Sequence, residues 1–297
     1  MAENETPEVS VVIPTAGETH RVESLRRAID SILTQEGVAV EVLVMLNGSR
    51  YDQALWSELE SRKDLRFFYL TQGDQTKAIA RGRQAVCGHY FCVLDDDDEL
   101  VPGTLKLRVE RLQREPEADV LVANGYRRNA RTGELSLMLE DIEDNAGAPL
   151  DGLKRHNWLA SCGGLFRTDT IGTDYFLEMP AFFEWTWLAI RLALEKRILF
   201  MEQPVFIIND TPGSLSKSKA YMEQEVELIR LILSELPVPK PFRRYLLSKL
   251  AAKHIGFANA ALSKGCKRRA FRHYLDCLQS GSGGLAYLLW VRKLIIK

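Results

Sequence analysis

The sequence has few of the residues from which disulfide frameworks and cysteine-based zinc sites are made. It has five cysteines, an odd number, and no two of them form a CxxC pair. Disulfide-stabilised domains need paired cysteines, and structural zinc sites need ligands at close, regular spacing. The cysteine pattern therefore argues against a disulfide framework and a zinc site, and it favours a reducing compartment.

Long apolar runs are also missing. No apolar stretch approaches the ~20 residues that a membrane-spanning helix needs. The opening segment MAENETPEVS is polar and acidic, unlike a secretory signal peptide. These features predict a cytoplasmic protein, either free or peripheral at the inner membrane.

The charge is nearly balanced over the chain but unevenly distributed. Residues 240–297 carry thirteen Lys or Arg and one acid, Asp276, and therefore a charge of +12. Because the whole chain carries −1, the first 239 residues carry −13. An acidic body with a basic tail suggests two different tasks.

The first hundred residues alternate between short apolar runs and amphipathic stretches. Predicted strands lie at residues 9–14, 40–46, 65–70 and 89–94, and predicted helices at residues 23–35, 53–62 and 76–86. This alternation predicts an α/β fold with a mostly parallel sheet flanked by helices. In such sheets, ligands bind beyond the carboxyl ends of the strands, where residues 13–17, 46–49 and 95–99 fall.

The remainder predicts further strands and then only helices. Residues 118–128 and 198–210 are each interpreted as one strand, with helices at 103–115 and 180–194. Beyond residue 218, helices are predicted at 220–236, 242–263, 266–279 and 284–296. We therefore divide the chain into an α/β domain, 1–218, and a basic helical region, 219–297.

The stretch HYFCVLDDDDEL places four aspartates and a glutamate directly after a predicted buried strand. One aspartate can cap the helix that begins near Pro102, which explains one or two of the acids. The others raise one another's pKa unless a cation binds. Carboxylate oxygens are the ligands that Mg²⁺ and Mn²⁺ prefer, so the run favours a metal site.

Several segments together resemble the family-2 glycosyltransferases with the GT-A fold. They are VSVVIPT, LRRAIDSILTQ, VEVLVMLNGS and AIARGRQAVCGHYFCVLDDDDELVPGTL, in this order, and the resemblance covers residues 9 to about 216. It implies a GT-A fold, which is Rossmann-like, with a C-terminal helical extension. The nucleotide-binding half would be about 9–100 and the acceptor half about 101–218.

The resemblance assigns the metal and part of the donor site. The family's D-x-D-D pattern matches Asp95, Asp96, Asp97 and Asp98. It implies that Asp95 contacts the ribose or the metal, that Asp97 coordinates Mn²⁺ or Mg²⁺ on the diphosphate, and that Asp96 belongs to the nucleotide-sugar site. Asp210, before GSLS, matches a third metal ligand in several relatives; the alternative is a turn-forming role.

Four further positions match the family's nucleotide loops. Pro14 and Thr15 match the first such loop, although a plain strand-ending turn would use the same residues. Arg81 matches a donor-facing arginine; otherwise it is a solvated surface residue. Asn47 stands where the family usually has an acid, and it either binds the base or shapes the turn.

The acceptor side and the catalytic base are assigned in the same way. Cys162, Gly163 and Gly164 match the acceptor-side loop, and a glycine turn with a buried cysteine is the alternative. Glu184 matches the Glu of the family's ED pair, while Trp185 replaces the usual base. We expect Glu184 to be the base; Asp174 and Glu178 are the substitutes, and a helix N-terminal acid is the plain interpretation.

The resemblance implies an inverting, metal-dependent glycosyltransferase. It would move a sugar from a nucleotide-diphosphate sugar, most often a UDP-sugar, to a saccharide or lipid-linked acceptor in cell-surface polysaccharide or lipopolysaccharide synthesis. The missing acids at Leu46, Asn47 and Trp185 motivate an alternative, a catalytically silent nucleotide-sugar-binding or scaffolding subunit. A nucleotidyltransferase is disfavoured because no glycine-rich, lysine-containing loop follows the first strand.

The basic tail has its own alternatives. Basic amphipathic helices suit an anionic membrane surface, so residues 240–297 predict peripheral membrane contact. Packing on the rest of the chain or between subunits is the alternative. Nucleic acid is disfavoured because no recognition motif accompanies the charge.

Overall fold

The computed structural model describes residues 6–209, 219–280 and 289–292. The chain divides into two units, Met1–Ser214 and Leu215–Lys297, which are described separately below.

A seven-stranded sheet forms the centre of the first unit. Its strands are β1 (Val9–Thr15), β2 (Val40–Asn47), β3 (Arg66–Leu70), β4 (Tyr90–Val93), β6 (Val120–Ala123), β9 (Gly164–Arg167) and β10 (Ile198–Met201). Their order is β10-β6-β9-β4-β1-β2-β3. Strand β9 runs antiparallel to β4 and β6, and the other pairs are parallel. The prediction of a mostly parallel sheet is confirmed, but β9 was not anticipated.

Helices pack against this sheet through regularly spaced apolar residues. They are α1 (Val22–Leu33), α2 (Gln53–Ser61), α3 (Gln75–Ala85), α4 (Thr104–Gln113), the short α5 (Pro149–Gly152) and α6 (Glu184–Glu195). In α1, Leu25, Ala28, Ile29 and Ile32 are buried, at the spacing of one helix face. Single-turn 3₁₀ helices lie at Thr19–Arg21, Ile142–Asn145 and Thr173–Tyr175.

Two of the predicted strands are each divided between the first sheet and a second, smaller sheet. It contains β5 (Glu99–Leu100), β7 (Tyr126–Arg128), β8 (Leu135–Leu137) and β11 (Phe206–Asn209), in the order β5-β11-β7-β8. The single strands predicted at 118–128 and 198–210 are therefore wrong. The first breaks at Asn124–Gly125, where a Cβ on Gly125 would lie 2.2 Å from the Phe206 ring. The second predicted strand breaks before Pro204, because proline has no backbone N–H to donate to a neighbouring strand.

The strand order reverses at β1. The chain moves from β1 outward to β2 and β3, and then returns to the other side of β1 as β4. Ligands of open α/β sheets bind at such a reversal, beyond the carboxyl ends of the strands. Thr15 and Asn47 end β1 and β2 at this edge, and the aspartate run lies just after β4.

The second unit consists of helices in its described residues. They are α7 (Lys219–Glu235), α8 (Lys240–Ser263) and α9 (Lys267–Gln279), and Trp290 packs in a small core with Ala258, Ala261, Ala270 and Tyr274. Glu225 of α7 pairs with Lys249 and Lys253 of α8. Most of the helix predicted at 284–296 lies outside the described residues. No helix in the described ranges is long and apolar enough to cross a membrane.

Candidate active site

The four aspartates form a turn between β4 and β5. Leu94 N–H donates to the Val12 carbonyl at 2.9 Å, and Asp98 N–H donates to the Asp95 carbonyl at 3.1 Å. The next helix, α4, begins after Gly103, which has φ +73° and makes no side-chain cap. The capping interpretation of the aspartates is therefore wrong, because the chain passes through β5 before α4 begins.

Asp96 lies against the carboxyl end of β1. Thr15 Oγ1 donates to Asp96 Oδ2 at 2.5 Å, and Gly17 N–H donates to Thr15 Oγ1 at 2.9 Å. Both Thr15 and Asp96 are buried. The structure thus brings these two predicted donor-site residues into direct contact.

Arg21 is a site residue that the sequence did not reveal. Its Nη1 lies 2.7 Å from Asp96 Oδ1 and 2.8 Å from Asp97 Oδ2. Burial raises the pKa of Asp96, and the charge of Arg21 opposes that rise. A basic residue shortly after the first strand was the only available signal, and the 3₁₀ turn Thr19–Arg21 that directs it inward has no sequence motif.

Asp95 lies in a position that disfavours its charged form. Burial, with smaller contributions from the charges of Asp97, Asp96 and Glu184, raises its pKa to about 7. A hydrogen bond from the Ser161 side chain opposes this rise. Burial and the neighbouring carboxylates therefore both act against a negative charge on Asp95.

The Asp98 carboxylate makes structural hydrogen bonds within the protein. Its Oδ1 accepts from Asn209 N–H at 3.0 Å, and its Oδ2 accepts from Cys162 Sγ at 3.6 Å. Burial, followed by the charges of Asp95 and Asp97, raises the pKa of Asp98 well above its ordinary range. Asp98 therefore connects the aspartate turn to the end of β11 and to the Cys162 loop.

Asn47 joins three loops at the same edge. Its Nδ2 donates to the Thr15 carbonyl at 2.9 Å, and its Oδ1 accepts from Asp74 N–H at 3.0 Å. These contacts are those of a turn-shaping residue, although the amide keeps further hydrogen-bonding capacity. Pro14 pairs with Met45 of β2, beyond the part of β1 that pairs with β4.

Arg81 is not brought to the aspartates by any hydrogen bond or ion pair within residues 6–209. It is exposed, and its guanidinium lies 5.2 Å from the Phe68 ring centroid. The residue of α3 that contacts the cluster is Gln75, whose Nε2 donates to Asp95 Oδ1 at 3.3 Å. Arg83, which points inward, donates to the carbonyls of Thr168 and Ile171. A donor contact for Arg81 stays a prediction.

The loop predicted to face the acceptor contains tightly packed glycines. A Cβ on Gly163 would lie 3.2 Å from the Ala123 carbonyl oxygen, and one on Gly164 would lie 2.5 Å from the Phe166 ring. Cys162 is buried, and burial raises its thiol pKa well above its ordinary value. The contacts thus explain the glycines by packing, and an acceptor contact stays a prediction.

Glu184 is the first residue of α6 and is only partly exposed. Its Oε2 is buried and has no hydrogen-bond partner in the described part of the chain. Burial raises the pKa of Glu184, whose charge in turn acts on Asp95. A carboxylate with one buried oxygen that accepts no hydrogen bond has the character of a proton acceptor.

The two substitutes for Glu184 are less suitable. Asp174 lies 3.3 Å from Arg191 in an ion pair, and Glu178 is exposed. The loop before Glu184 has left-handed backbone at Glu178 (φ 57°) and Phe182 (φ 72°). Such strain at non-glycine residues often occurs beside functional sites.

Asp210 lies outside the described residues. Its neighbour Asn209 donates through Nδ2 to the Asp97 carbonyl at 2.6 Å. The described chain therefore runs to within one residue of Asp210 while in contact with the aspartate turn.

Comparison with known proteins gives the family. Residues 10–167, more than half of the chain, match the family described as Glycosyl transferase family 2. The chain therefore belongs to glycosyltransferase family 2, and the resemblance found in the sequence is confirmed.

Relatives agree with this assignment over part of their length. An uncharacterized glycosyltransferase of Rickettsia typhi is 30% identical over 121 residues, which are 41% of this chain and 37% of the relative. Glycosyltransferase GlyA of Streptococcus pneumoniae is 28% identical over 233 residues, 70% of this chain and 31% of GlyA. The chain thus spans only about a third of the length of these relatives.

Solved structures share the fold. S. aureus TarS 1–349 in complex with UDP-GlcNAc matches with a TM-score of 0.64 at 17% identity, over 92% of this chain and 81% of that chain. The same TarS fragment with UDP matches with a TM-score of 0.60 at 15% identity, over 92% of this chain and 80% of that chain. The predicted GT-A fold is confirmed.

Proposed function

We propose that the chain is an inverting, metal-dependent glycosyltransferase. It moves a sugar from a nucleotide-diphosphate sugar to a saccharide or lipid-linked acceptor in cell-surface polysaccharide or lipopolysaccharide synthesis. The observation that carries the proposal is the turn of Asp95, Asp96 and Asp97 beyond the carboxyl ends of β1 and β4, with Glu184 near enough to act electrostatically on Asp95. In a family-2 chain, such repelling carboxylates suit a cation and a diphosphate.

The donor set fits Mn²⁺ or Mg²⁺ because it offers only oxygen ligands. The raised pKa of Asp95 and the guanidinium held between Asp96 and Asp97 both support the need for positive charge there. Asp95 and Asp97 would hold the ion, with Asp210 as the proposed third ligand. When bound, the ion supplies Lewis-acid neutralisation of the departing nucleoside diphosphate.

A UDP-sugar is the proposed donor. The TarS complexes contain UDP-GlcNAc and UDP, which supports uridine on a shared fold. Thr15 and Asp96, which bond to each other, lie where Pro14, Asn47 and the nucleotide loops converge. Arg81 is proposed to reach the donor from α3, the helix on which Gln75 donates to Asp95.

Glu184 is the proposed base. As the acceptor oxygen bonds to the sugar's anomeric carbon, the bond from that carbon to the diphosphate oxygen breaks, and Glu184 takes the acceptor's hydroxyl proton. The unpartnered Oε2 is free to receive it. The loop at Cys162, Gly163 and Gly164 is proposed to lie on the acceptor side, with its glycines packed against Ala123 and Phe166.

Peripheral membrane contact is proposed for the helical unit. On α9, Arg268, Phe271, Arg272 and Leu275 are all exposed and share one face at helical spacing. Exposed apolar side chains flanked by arginine suit an anionic lipid surface. Co-sedimentation with anionic liposomes tests this, and unchanged binding of a Phe271→Ser, Leu275→Ser variant would reject it.

A catalytically silent nucleotide-sugar-binding or scaffolding subunit is the second candidate. It is favoured by Arg21, which already compensates Asp96 and Asp97 as a resident cation would. The two candidates differ in chemistry but not in donor binding.

A two-stage experiment separates them. A thermal-shift panel of UDP-, TDP- and GDP-sugars, with and without Mn²⁺, identifies the donor. Donor hydrolysis or transfer is then measured. The enzyme proposal expects Mn²⁺-dependent stabilisation and turnover, the silent subunit expects stabilisation alone, and no stabilisation by any nucleotide rejects both.

A further inference from the structure

The helical unit contains a cluster of potential metal ligands that the proposed reaction does not use. His254 lies on α8, and His273 and Asp276 lie one turn apart on α9. One ligand atom from each of the three side chains lies within 4.8 Å of the others.

The Nδ1 atoms of both histidines lack hydrogen-bond partners among the described residues. His254 is 4% exposed, yet its Nδ1 makes no hydrogen bond in the described part of the chain, and the same holds for His273 Nδ1. Both nitrogens lie 3.8 Å from the same atom, Asp276 Oδ2, which is too far for a hydrogen bond. Buried polar atoms are normally paired, so this convergence points to an absent ligand.

The ligand types indicate the class of ion. Two imidazoles and one carboxylate suit a borderline divalent ion such as Zn²⁺, whereas Mg²⁺ and Ca²⁺ prefer oxygen alone. Bond lengths of about 2.1 Å in a tetrahedral site place ligand atoms about 3.4 Å apart. The two 3.8 Å separations therefore need only small side-chain rotations, and His273 and Asp276 are partly exposed and able to make them.

The surroundings are compatible with a bound cation. The Phe257 ring lies 6.4 Å from the His254 ring and 5.4 Å from the His273 ring, which gives the cluster an apolar wall. Arg230 of α7 acts electrostatically on His254, but it is paired with Glu227 at 2.8 Å. Its positive charge is therefore largely compensated.

We propose that His254, His273 and Asp276 form a binding site for a divalent transition metal ion of the zinc class, with the remaining position open to water. The ion links α8 to α9 and stabilises the helical unit. The argument from the sequence against zinc rested on cysteine spacing, and it does not apply to histidine and aspartate brought together from two helices.

The test uses the full-length chain, stripped with a chelator and titrated with Zn²⁺ by calorimetry. One tight equivalent is expected. His273→Ala should weaken binding at least about 100-fold, because losing even an outer-shell partner costs 10- to 100-fold. Zn²⁺ should also raise the melting temperature of the wild type and not that of the variant.

Two control variants test whether Zn²⁺ binds elsewhere on the chain. His20→Ala removes an exposed histidine, and Cys266→Ser removes an exposed thiol of the same helical unit. Neither should change the affinity, and bound Co²⁺ should show a spectrum without thiolate charge transfer. Because His254 is buried and its removal risks unfolding, Asp276→Asn is the second ligand variant. Two results would overturn the proposal. The first is the absence of Zn²⁺ binding. The second is Zn²⁺ binding that Cys266→Ser abolishes but that His273→Ala and Asp276→Asn retain.

Discussion

Two clusters of ligand-type side chains in this chain differ in what already balances their charge. At the sheet edge, four aspartates and Glu184 offer only oxygen, and Arg21 lies between two of them. In the helical unit, two imidazoles accompany one carboxylate, and no hydrogen bond among the described residues occupies their Nδ1 atoms.

The difference concerns whether the cation in each cluster can be exchanged for another. We infer that Arg21 and a metal with its diphosphate would compete for the carboxylate cluster. An imidazole cluster without such a competitor suits an ion that stays. We infer that the oxygen cluster performs chemistry and that the nitrogen cluster supports structure.

The sharpest test of this contrast is Asp97→Asn, which keeps the shape and removes a charge. We expect Mn²⁺-dependent donor turnover to fall about 1,000-fold, since a Lewis-acid metal contributes several kcal/mol to catalysis. Nucleotide release assayed with the stabilising donor measures this loss. Zn²⁺ affinity should not change, and Glu99→Gln, next to the turn, should stay within a few-fold of wild type. Loss of both metal responses in Asp97→Asn would break the contrast.

The sheet edge was predictable because local pattern determines it. β-branched runs closed by Pro14, Asn47 and the aspartates report burial and strand ends directly, and parallel strands bring those ends together. The split of the strands at Gly125 was not visible, because it depends on the Phe206 ring, distant in sequence.

The site was predictable only where a motif spans neighbouring residues. Thr15 and Asp96 were assigned to one site from their motifs, and they bond to each other. The inward position of Arg21, in contrast, depends on a 3₁₀ turn that sequence periodicity does not encode. The histidine cluster joins two helices in three dimensions, so no spacing rule indicated it.

Glu184→Gln tests whether the fifth carboxylate of the oxygen cluster serves catalysis rather than metal binding. We expect transfer to fall about 100-fold or more, the usual contribution of a general base, with Mn²⁺ affinity unchanged. Initial rates and Mn²⁺ titration measure the two quantities. Asp174→Asn and Glu178→Gln are matched controls that should retain activity, and a greater loss in either would move the base to that residue.

The pH dependence of the same cluster follows from the pKa of Glu184, which burial raises above its ordinary value of 4.5. The base acts when deprotonated, so the rate should rise with pH through this raised pKa and then level. The native state binds the proton more tightly than the unfolded state does. The stabilisation from Glu184 is therefore present below its unfolded pKa and lost as pH rises through its folded pKa.

Rates and melting temperatures between pH 4 and pH 8, for wild type and Glu184→Gln, measure both trends. In Glu184→Gln, the rate should no longer fall at acidic pH, and the melting temperature should depend less on pH. An unchanged acidic limb would show that another group controls it.

Arg21→Ala tests whether the Arg21 guanidinium is the cause of the difference between the oxygen cluster and the nitrogen cluster. If the guanidinium competes with the metal for Asp97, its removal should tighten Mn²⁺ binding by roughly 10-fold, intermediate between exposed and buried ion pairs. The metal-free protein should melt at a lower temperature, because the aspartates lose their compensating charge. Mn²⁺ titration by electron paramagnetic resonance, with UDP present, measures the affinity.

Arg27→Ala is the matched control, since Arg27 is exposed and lies 3.9 Å from Glu99 at the end of the same acidic run. It should leave Mn²⁺ affinity unchanged. Weaker Mn²⁺ binding in Arg21→Ala would mean that Arg21 cooperates with the metal on the diphosphate, and unchanged binding would mean that it never competes. In either case the resident guanidinium would no longer separate the oxygen cluster from the nitrogen cluster, and ligand type alone would have to explain their difference.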